Sequence, residues 1–310
     1  MISGLLNLVK PPGLTSHDAV QQVRRLFHER RVGHTGTLDP GAAGVLVVCL
    51  GEATKAIAFM EDETKEYWGE AVLGSATFTQ DAEGEVTETA PSGWTTTPAR
   101  VAEEASRLCG EVEQAAPLVS AVHQEGRRLY ELAREGQAVA RPVRRVKVEQ
   151  FTVEEMLPGA GGRYGAGARL RFRVACSRGT YIRALVDDLG RALGGFAHLA
   201  FLIRLRSGPF QLADGVTLEE LAAEEAPDRR LLGVDAGLTG PALLLSGEAE
   251  RRFLTGAAVK PEGQAFRPGR VRVYRPPGGS AHFLGMGQVE PDGTLRPLRI
   301  FHVGEEPEGS

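Results

Sequence analysis

The sequence predicts an α+β chain that ends in a small β-rich domain. Three observations support this. Strand-like runs such as "VLVVCL" (residues 45–50) and "KEYWGEAVLG" (residues 65–74) interleave with segments whose apolar residues recur at helical spacing. Past residue 240 the texture changes to short strands separated by Gly/Pro turns. The chain has 310 residues and is 42% hydrophobic, enough for a sizeable core, yet no apolar run approaches the ~20 residues that span a bilayer.

Taken in order, "LLNLVKPPGLTS" reads as a short strand and a Pro/Gly turn. Ser16 is the expected N-cap of a helix that carries Val20, Val23 and Phe27 on one face. A glycine-rich loop follows, then the buried strand "VLVVCL", a helix over "EATKAIAFM" and the alternating strand "KEYWGEAVLG". "PARVAEEASRLCG" predicts a helix closed by Gly110. A basic excursion over residues 117–147 reads as loop, short helix (residues 128–134), loop and strand. The stretch "PGAGGRYGAG" reads as a flexible hairpin, and "ARLRFRVACSRGTYIRALVDDLGRALG" as strand, tight turn and helix. We place one domain at residues 1–235 and a second at 240–303, with 304–310 a disordered tail.

Bulk chemistry excludes several classes. The cysteines, Cys49, Cys109 and Cys176, are few and far apart, which argues against a disulfide framework or a cysteine-based zinc site. The N-terminus lacks the charged start and cleavage site of a secretory signal, so a cytoplasmic location is expected. Net charge is −4, but residues 127–147 hold seven basic and two acidic side chains, and residues 163–206 hold nine and two. A basic middle inside an acidic chain fits a polyanion partner, and equally a solvated arginine-rich surface.

The loop "GHTGTLDPGAAG" (residues 33–44) poses the chemical question. It has no lysine, and Asp39 would repel a phosphate placed beside it, so the loop reads as one that presents a carboxylate. Pro40 pushes Asp39 out of helical geometry, and the glycines allow close backbone approach. A turn aspartate is the plain alternative. "HTGTLD" also fits a His-x4-Asp acyltransferase pattern, with His34 as base. A metal site on His34 and Asp39 lacks a third ligand nearby. Arg183, early in a helix after a strand end, could hold a carboxylate ionised and aim its oxygens. Tyr67 and Trp68, adjacent on a strand, face opposite ways, which suits one to a base-stacking cleft.

These pieces together resemble a known family. "NLVKPPGLTSHDAVQQVRR", "RRVGHTGTLDPGAAGVLVVCLGEATK", "KEYWGEAVLG", "TQDAEG", "SAVHQEGRRLYELAREG" and "CSRGTYIRALVDDLGRALGGFAHLAFLIRLRSGPF" occur in this order in the TruB-type tRNA pseudouridine synthases, and the likeness covers nearly the whole chain. It implies a mixed, largely antiparallel sheet with flanking helices, a thumb insertion near residues 117–147 and a PUA-like C-terminal domain. It implies that Asp39 is the nucleophile, that Tyr67 packs against the target base as a candidate general base, and that Arg183 pairs with the aspartate. His34 would hold a flipped nucleotide, Leu205 would line the pocket, Lys10 and Pro11 would support the active-site loop, and Asp81 would help position RNA. Arg127, Arg128, Tyr130, Arg134 and Arg141 would be RNA contacts of the thumb. His123 and Phe78 depart from the residues common in the family, lysine and a polar side chain.

The implied reaction isomerises the T-loop uridine at tRNA position 55 and needs no redox change or group donor, so no cofactor is expected. Asp39 could attack C1′ of the sugar or C6 of the base, or act through a glycal. The base must first leave its stack, at a cost of a few kcal/mol. The implied partner is tRNA, recognised by the shape of its T arm, with no membrane and no protein partner required. Nothing in the sequence demands more than a monomer. A non-catalytic tRNA-folding chaperone and a guide-RNA-dependent rRNA synthase are the other readings; an intact Asp39, Tyr67 and Arg183 favour catalysis over the chaperone, and the thumb insertion with its bacterial-like spacing disfavours the guide-RNA-dependent synthase.

Overall fold

A computed structural model describes residues 2–60, 64–117, 123–124, 127–128, 142–157, 162–261, 267–279 and 282–302. Contacts divide the chain into two units. One comprises Met1–Asp39, Leu46–Glu61 and Pro209–Ser310; the other comprises Pro40–Val45 and Asp62–Gly208. The chain thus passes from one unit to the other between Asp39 and Pro40.

In the first unit, β1 (Gly4–Lys10) is almost wholly buried and leads to α1 (Ser16–Leu26). The expected cap at Ser16 is corrected by one residue. Thr15 is the N-cap: its hydroxyl accepts from the Asp18 N–H, and the Asp18 carboxylate accepts in turn from the Thr15 N–H. This reciprocal pair satisfies two end groups of the helix, which a cap at Ser16 would lack an acid to complete. Ala19, Val20 and Val23 form the buried face. Next come β2 (Val32–His34) and β3 (Ala43–Leu50), antiparallel to each other in the register Val32↔Leu50 to His34↔Val48. The helix expected over "EATKAIAFM" is a 3₁₀ helix, Gly51–Phe59.

In the second unit, β4 (Lys65–Leu73) alternates buried and half-buried residues along its full length, as its sequence pattern predicts. It is followed by α2 (Pro98–Arg107), β5 (Gly110–Ala115), β6 (Val143–Leu157), β7 (Arg169–Cys176), α3 (Ile182–Ala192) and β8 (Ala197–Ser207). Gly110 does not close α2. The helix is capped at Leu108, and Gly110, at φ +103°, opens β5 instead. The strand order is β8-β4-β7-β6-β5, antiparallel throughout, and Ala43 and Gly44 of β3 pair parallel with Ile203 and Arg204 of β8. The sheet is therefore mixed and largely antiparallel. β6 and β7 pair on either side of residues 158–168, as a hairpin requires. Phe172 of β7 is fully buried, its ring 5.4 Å from that of Phe151 in an edge-on contact, and a Cβ on Gly69 would lie only 2.4 Å from it. Arg127–Arg128 pair as a short strand with His123–Gln124, which replaces the helix expected to begin at Arg128; the rest of that expected helix lies outside the described residues.

The C-terminal part of the first unit is the β-rich domain. Helix α4 (Gly247–Leu254) packs on a four-stranded sheet of β9 (Ala242–Leu244), β10 (Gly269–Tyr274), β11 (Phe283–Val289) and β12 (Leu295–Ile300), in that spatial order. Leu243, Phe253, Val271, Val273 and Leu295 form its core, all fully buried. The 3₁₀ helix holds this domain. Lys55 donates to the Ile300 carbonyl (3.3 Å) and to Glu52 (2.6 Å), and the Glu52 carboxylate also accepts from the His302 N–H (3.0 Å). Burial would raise the pKa of Glu52, but the Lys55 and His302 hydrogen bonds and the Lys55 and Arg31 charges outweigh it and hold the carboxyl below its ordinary 4.5.

Two outcomes follow. Phe172→Ala should lower unfolding stability by about 3–5 kcal/mol in denaturant titration, and a loss under 1 kcal/mol would mean that the sheet core closes around the gap. With its pKa depressed on folding, Glu52 contributes stability that is complete above 4.5 and lost as pH falls through its lower folded-state value. Glu52→Gln should therefore flatten part of the acid limb of the stability–pH curve, and an unchanged curve would contradict this.

Candidate active site

The loop carrying Asp39 is anchored by its flanks. Within the first unit, α1 holds it at two points. The Arg24 guanidinium donates to the Val32 carbonyl (2.9 Å), at the first residue of β2, the strand that leads into the loop. The Ser16 hydroxyl, spared from capping, accepts from the Leu38 N–H (2.8 Å) and donates to the Leu38 carbonyl (3.0 Å). Leu38 itself is 3% exposed, so its side chain pins the same point to the core. Asp39 is half-buried, as is His34, whose backbone pairs with Val48. Lys10 is fully buried at the end of β1, and its ammonium donates to the carbonyls of Pro11 (2.8 Å) and Leu14 (2.6 Å). It thereby ties down the Pro/Gly turn that leads into α1.

On the other side of Asp39, in the second unit, Gly44 adopts φ +104° and lies so near β8 that a Cβ would sit 2.3 Å from the Arg204 carbonyl oxygen. Arg204, at 1% exposure the largest fully buried side chain among the described residues, donates its Nε–H to the Val45 carbonyl (2.6 Å). A side chain at position 44 would force these two strands apart.

The second unit brings Tyr67, Leu205 and Arg204 together. Tyr67 on β4 is 7% exposed and pairs in register with Arg204 on β8. The register shifts between Arg204 and Arg206, so Leu205 is the extra residue of a β-bulge beside Tyr67. A bulge turns a side chain out of the regular alternation, and no sequence signal announced this one. Trp68 faces the other way, its indole N–H on Glu154 (3.1 Å).

Arg183, in the first turn of α3, is 4% exposed. It donates to the Thr79 carbonyl (2.8 Å) and lies 3.6 Å from the Asp81 carboxylate. Asp81 also accepts from the Thr79 hydroxyl and the Glu83 N–H (3.1 Å). Between them Gln80, at φ +64°, donates its side-chain amide to Asp187 of α3 (3.1 Å), and its carbonyl accepts from the Leu199 N–H (3.0 Å). The segment 79–81 is thus bound to both α3 and β8. Motif reading named Arg183 and Asp81 separately. Their proximity, and the part played by Gln80 and Asp187, are tertiary features with no sequence signature.

Of the thumb residues, Arg127 and Arg128 lie on the short strand, with Arg128 opposite His123; Tyr130, Arg134 and Arg141 lie outside the described residues. Phe78 is 44% exposed. Burial pushes the Cys176 thiol up to about 11, which leaves it protonated and unsuited to nucleophilic work at neutral pH. Among the described residues, no three His, Cys, Asp or Glu side chains converge as metal ligands, and no helix is long and apolar enough to cross a membrane.

Three family models match the chain in succession. Residues 24–182 match the N-terminal domain of the TruB family of pseudouridylate synthases. Residues 183–239 match a tRNA pseudouridylate synthase B C-terminal domain, and residues 241–301 a C-terminal domain of pseudouridine synthase II TruB. The chain is 43% identical over 313 residues to tRNA pseudouridine synthase B of Moorella thermoacetica, covering 97% of this chain and 100% of the relative. It is 40% identical over 305 residues to that of Geobacillus thermodenitrificans, again covering 97% and 100%. Among solved structures it is similar to a chain in the crystal structure of a Cbf5–Nop10–Gar1 complex, with a TM-score of 0.69 and 26% identity over 97% of this chain and 85% of that one. The first model spans the Asp39 loop, Tyr67 and the segment 79–81, and the second begins at Arg183. The chain belongs to the TruB family of pseudouridylate synthases.

Proposed function

We propose that this chain is a tRNA pseudouridine synthase that isomerises the T-loop uridine at position 55, with Asp39 as the reacting carboxylate. The observation that carries the reading is the family match over residues 24–182, which contains the loop whose backbone is fixed on both sides of Asp39. The chemistry breaks the N1–C1′ bond, turns the uracil and joins C5 to C1′. The proton on C5 leaves to solvent, and N1 gains one. A carboxylate that forms a covalent adduct splits this exchange into two easier steps. A fixed backbone matters because attack needs near-contact geometry, and misplacement by an ångström is expensive.

The other residues take supporting parts. Arg183 is buried, and its guanidinium bonds the Thr79 carbonyl and lies beside the Asp81 carboxylate, which fixes its direction. Tyr67 stacks on the flipped base and is the candidate general base. Leu205 packs against the base from the bulge, and His34 holds the flipped nucleotide. Lys10 supports the loop from beneath, and Asp81 holds Arg183 and helps to position the RNA. Arg127, Arg128, Tyr130, Arg134 and Arg141 belong to a thumb, near residues 117–147, that grips the T arm. Residues 1–235 form the catalytic domain, and 240–303 a PUA-like module that adds RNA contacts. The enzyme works in the cytoplasm as a monomer, without a protein partner.

Tritium release from a T-arm stem-loop labelled at uridine C5 tests the assignment. The wild type should release one tritium per target uridine, and Asp39→Ala none while still binding. Equal release by both would reduce Asp39 to a turn residue; absence of release by either, with binding intact, would favour a chaperone. Affinity for the stem-loop should fall about tenfold or more between 50 and 200 mM salt, because phosphate contacts release counterions. A flat salt dependence would contradict a cationic RNA surface.

A further inference from the structure

Ser16 is buried at 3% exposure, at the first position of α1. The helix end does not use it, because Thr15 and Asp18 form the capping pair. Its hydroxyl instead meets both backbone groups of Leu38, 22 residues away, as acceptor at 2.8 Å and donor at 3.0 Å. Only a group that donates and accepts at once can do this. The two bonds act on different peptide planes: the Leu38 N–H belongs to the plane before Leu38, and the Leu38 carbonyl to the plane that carries Asp39. Fixing both planes sets the backbone torsion between them, and with it the direction in which the chain delivers Asp39. Pro40 limits the conformation of Asp39 from the other side.

The anchor is rigid. α1 is closed by its capping pair and buries Ala19, Val20 and Val23. Two turns further on, roughly 12 Å along the helix axis, Arg24 binds the Val32 carbonyl at the start of β2, the strand that leads into the same loop. Positions 16, 20 and 24 share one helical face, so one helix holds both ends of the segment that presents the carboxylate.

We infer that Ser16 is a positioning residue for catalysis: its hydroxyl aims the Asp39 carboxylate through the Leu38 peptide planes, without touching RNA. The inference rests on the reading of Asp39 as the reacting group. Ser16→Ala removes both bonds, leaves two buried backbone groups without this partner and lets the Leu38–Asp39 plane rotate. Ser16→Thr keeps a hydroxyl at the same place.

The test is single-turnover C5-tritium release at saturating enzyme, with stem-loop Kd and thermal melting measured alongside, for wild type, Ser16→Ala, Ser16→Thr and Asp39→Ala. Ser16→Ala should slow the chemical step by about 10- to 100-fold. Its Kd should stay within about twofold, and it should remain folded at the assay temperature. Ser16→Thr should recover most of the rate. A wild-type rate in Ser16→Ala beside an inactive Asp39→Ala would overturn the role of Ser16 alone. So would a slow Ser16→Ala whose Kd weakens by the same factor, or a Ser16→Thr no faster than Ser16→Ala. A wild-type rate in Asp39→Ala would overturn the reading of Asp39, and with it any carboxylate for Ser16 to aim.

Discussion

The path of the loop that carries Asp39 depends on one hydroxyl holding one residue's backbone: Ser16 on Leu38. Asp39 sits where the chain leaves one contact unit for the other, between a segment ending at Asp39 and one starting at Pro40. A carboxylate at such a crossing cannot rely on regular secondary structure for its place. It depends on tethers to each flank. Before it stand Ser16 and Arg24, carried by a helix stiffened by its own cap. After it stand the Gly44 approach to β8 and the Arg204 bond to Val45. Each tether ends on backbone, so these contacts fix the loop's path without engaging its side chains.

The second unit solves a different problem, that of keeping a cation dry. A buried guanidinium loses much hydration and is tolerable only when its donors meet acceptors. Arg183 meets the Thr79 carbonyl and the Asp81 carboxylate, and Asp81 is itself steadied by Thr79 and Glu83. Gln80 adopts a left-handed backbone to bring these groups round, and its bonds to Asp187 and Leu199 hold that conformation in place. Backbone strain of this kind persists where the surroundings over-determine it. β4 lies between β8 and β7, paired on both edges, so Tyr67 is carried on one of the best-supported strands of the sheet.

Local pattern proved readable where one physical cause dominates. Alternation along residues 65–73 gave β4, because a strand between two others buries every second side chain. Helical spacing gave α1, and Gly/Pro-punctuated short runs gave the C-terminal sheet. The errors lie where two local signals compete. Ser16 and Thr15 are both good caps, and Asp18 three residues on decides for Thr15. Gly110 is a good helix stop, but its left-handed backbone serves the entry to β5. "EATKAIAFM" winds as 3₁₀ while its Lys55 and Glu52 dock the C-terminal strand.

The sequence by itself determined the family, because the motifs around Asp39 and Arg183 are long and lie in a fixed order. It also determined the α+β class, since periodicity is a local property. Only the tertiary structure decided what each of those residues leans on. The grip of Ser16 on Leu38, the Arg183–Asp81 pair and the anchoring of Gln80 on Asp187 join positions from 22 to 107 residues apart, and the bulge at Leu205 depends on a shift in strand register. Such contacts follow from how strands and helices pack, and packing is a property of the whole chain that no local pattern encodes.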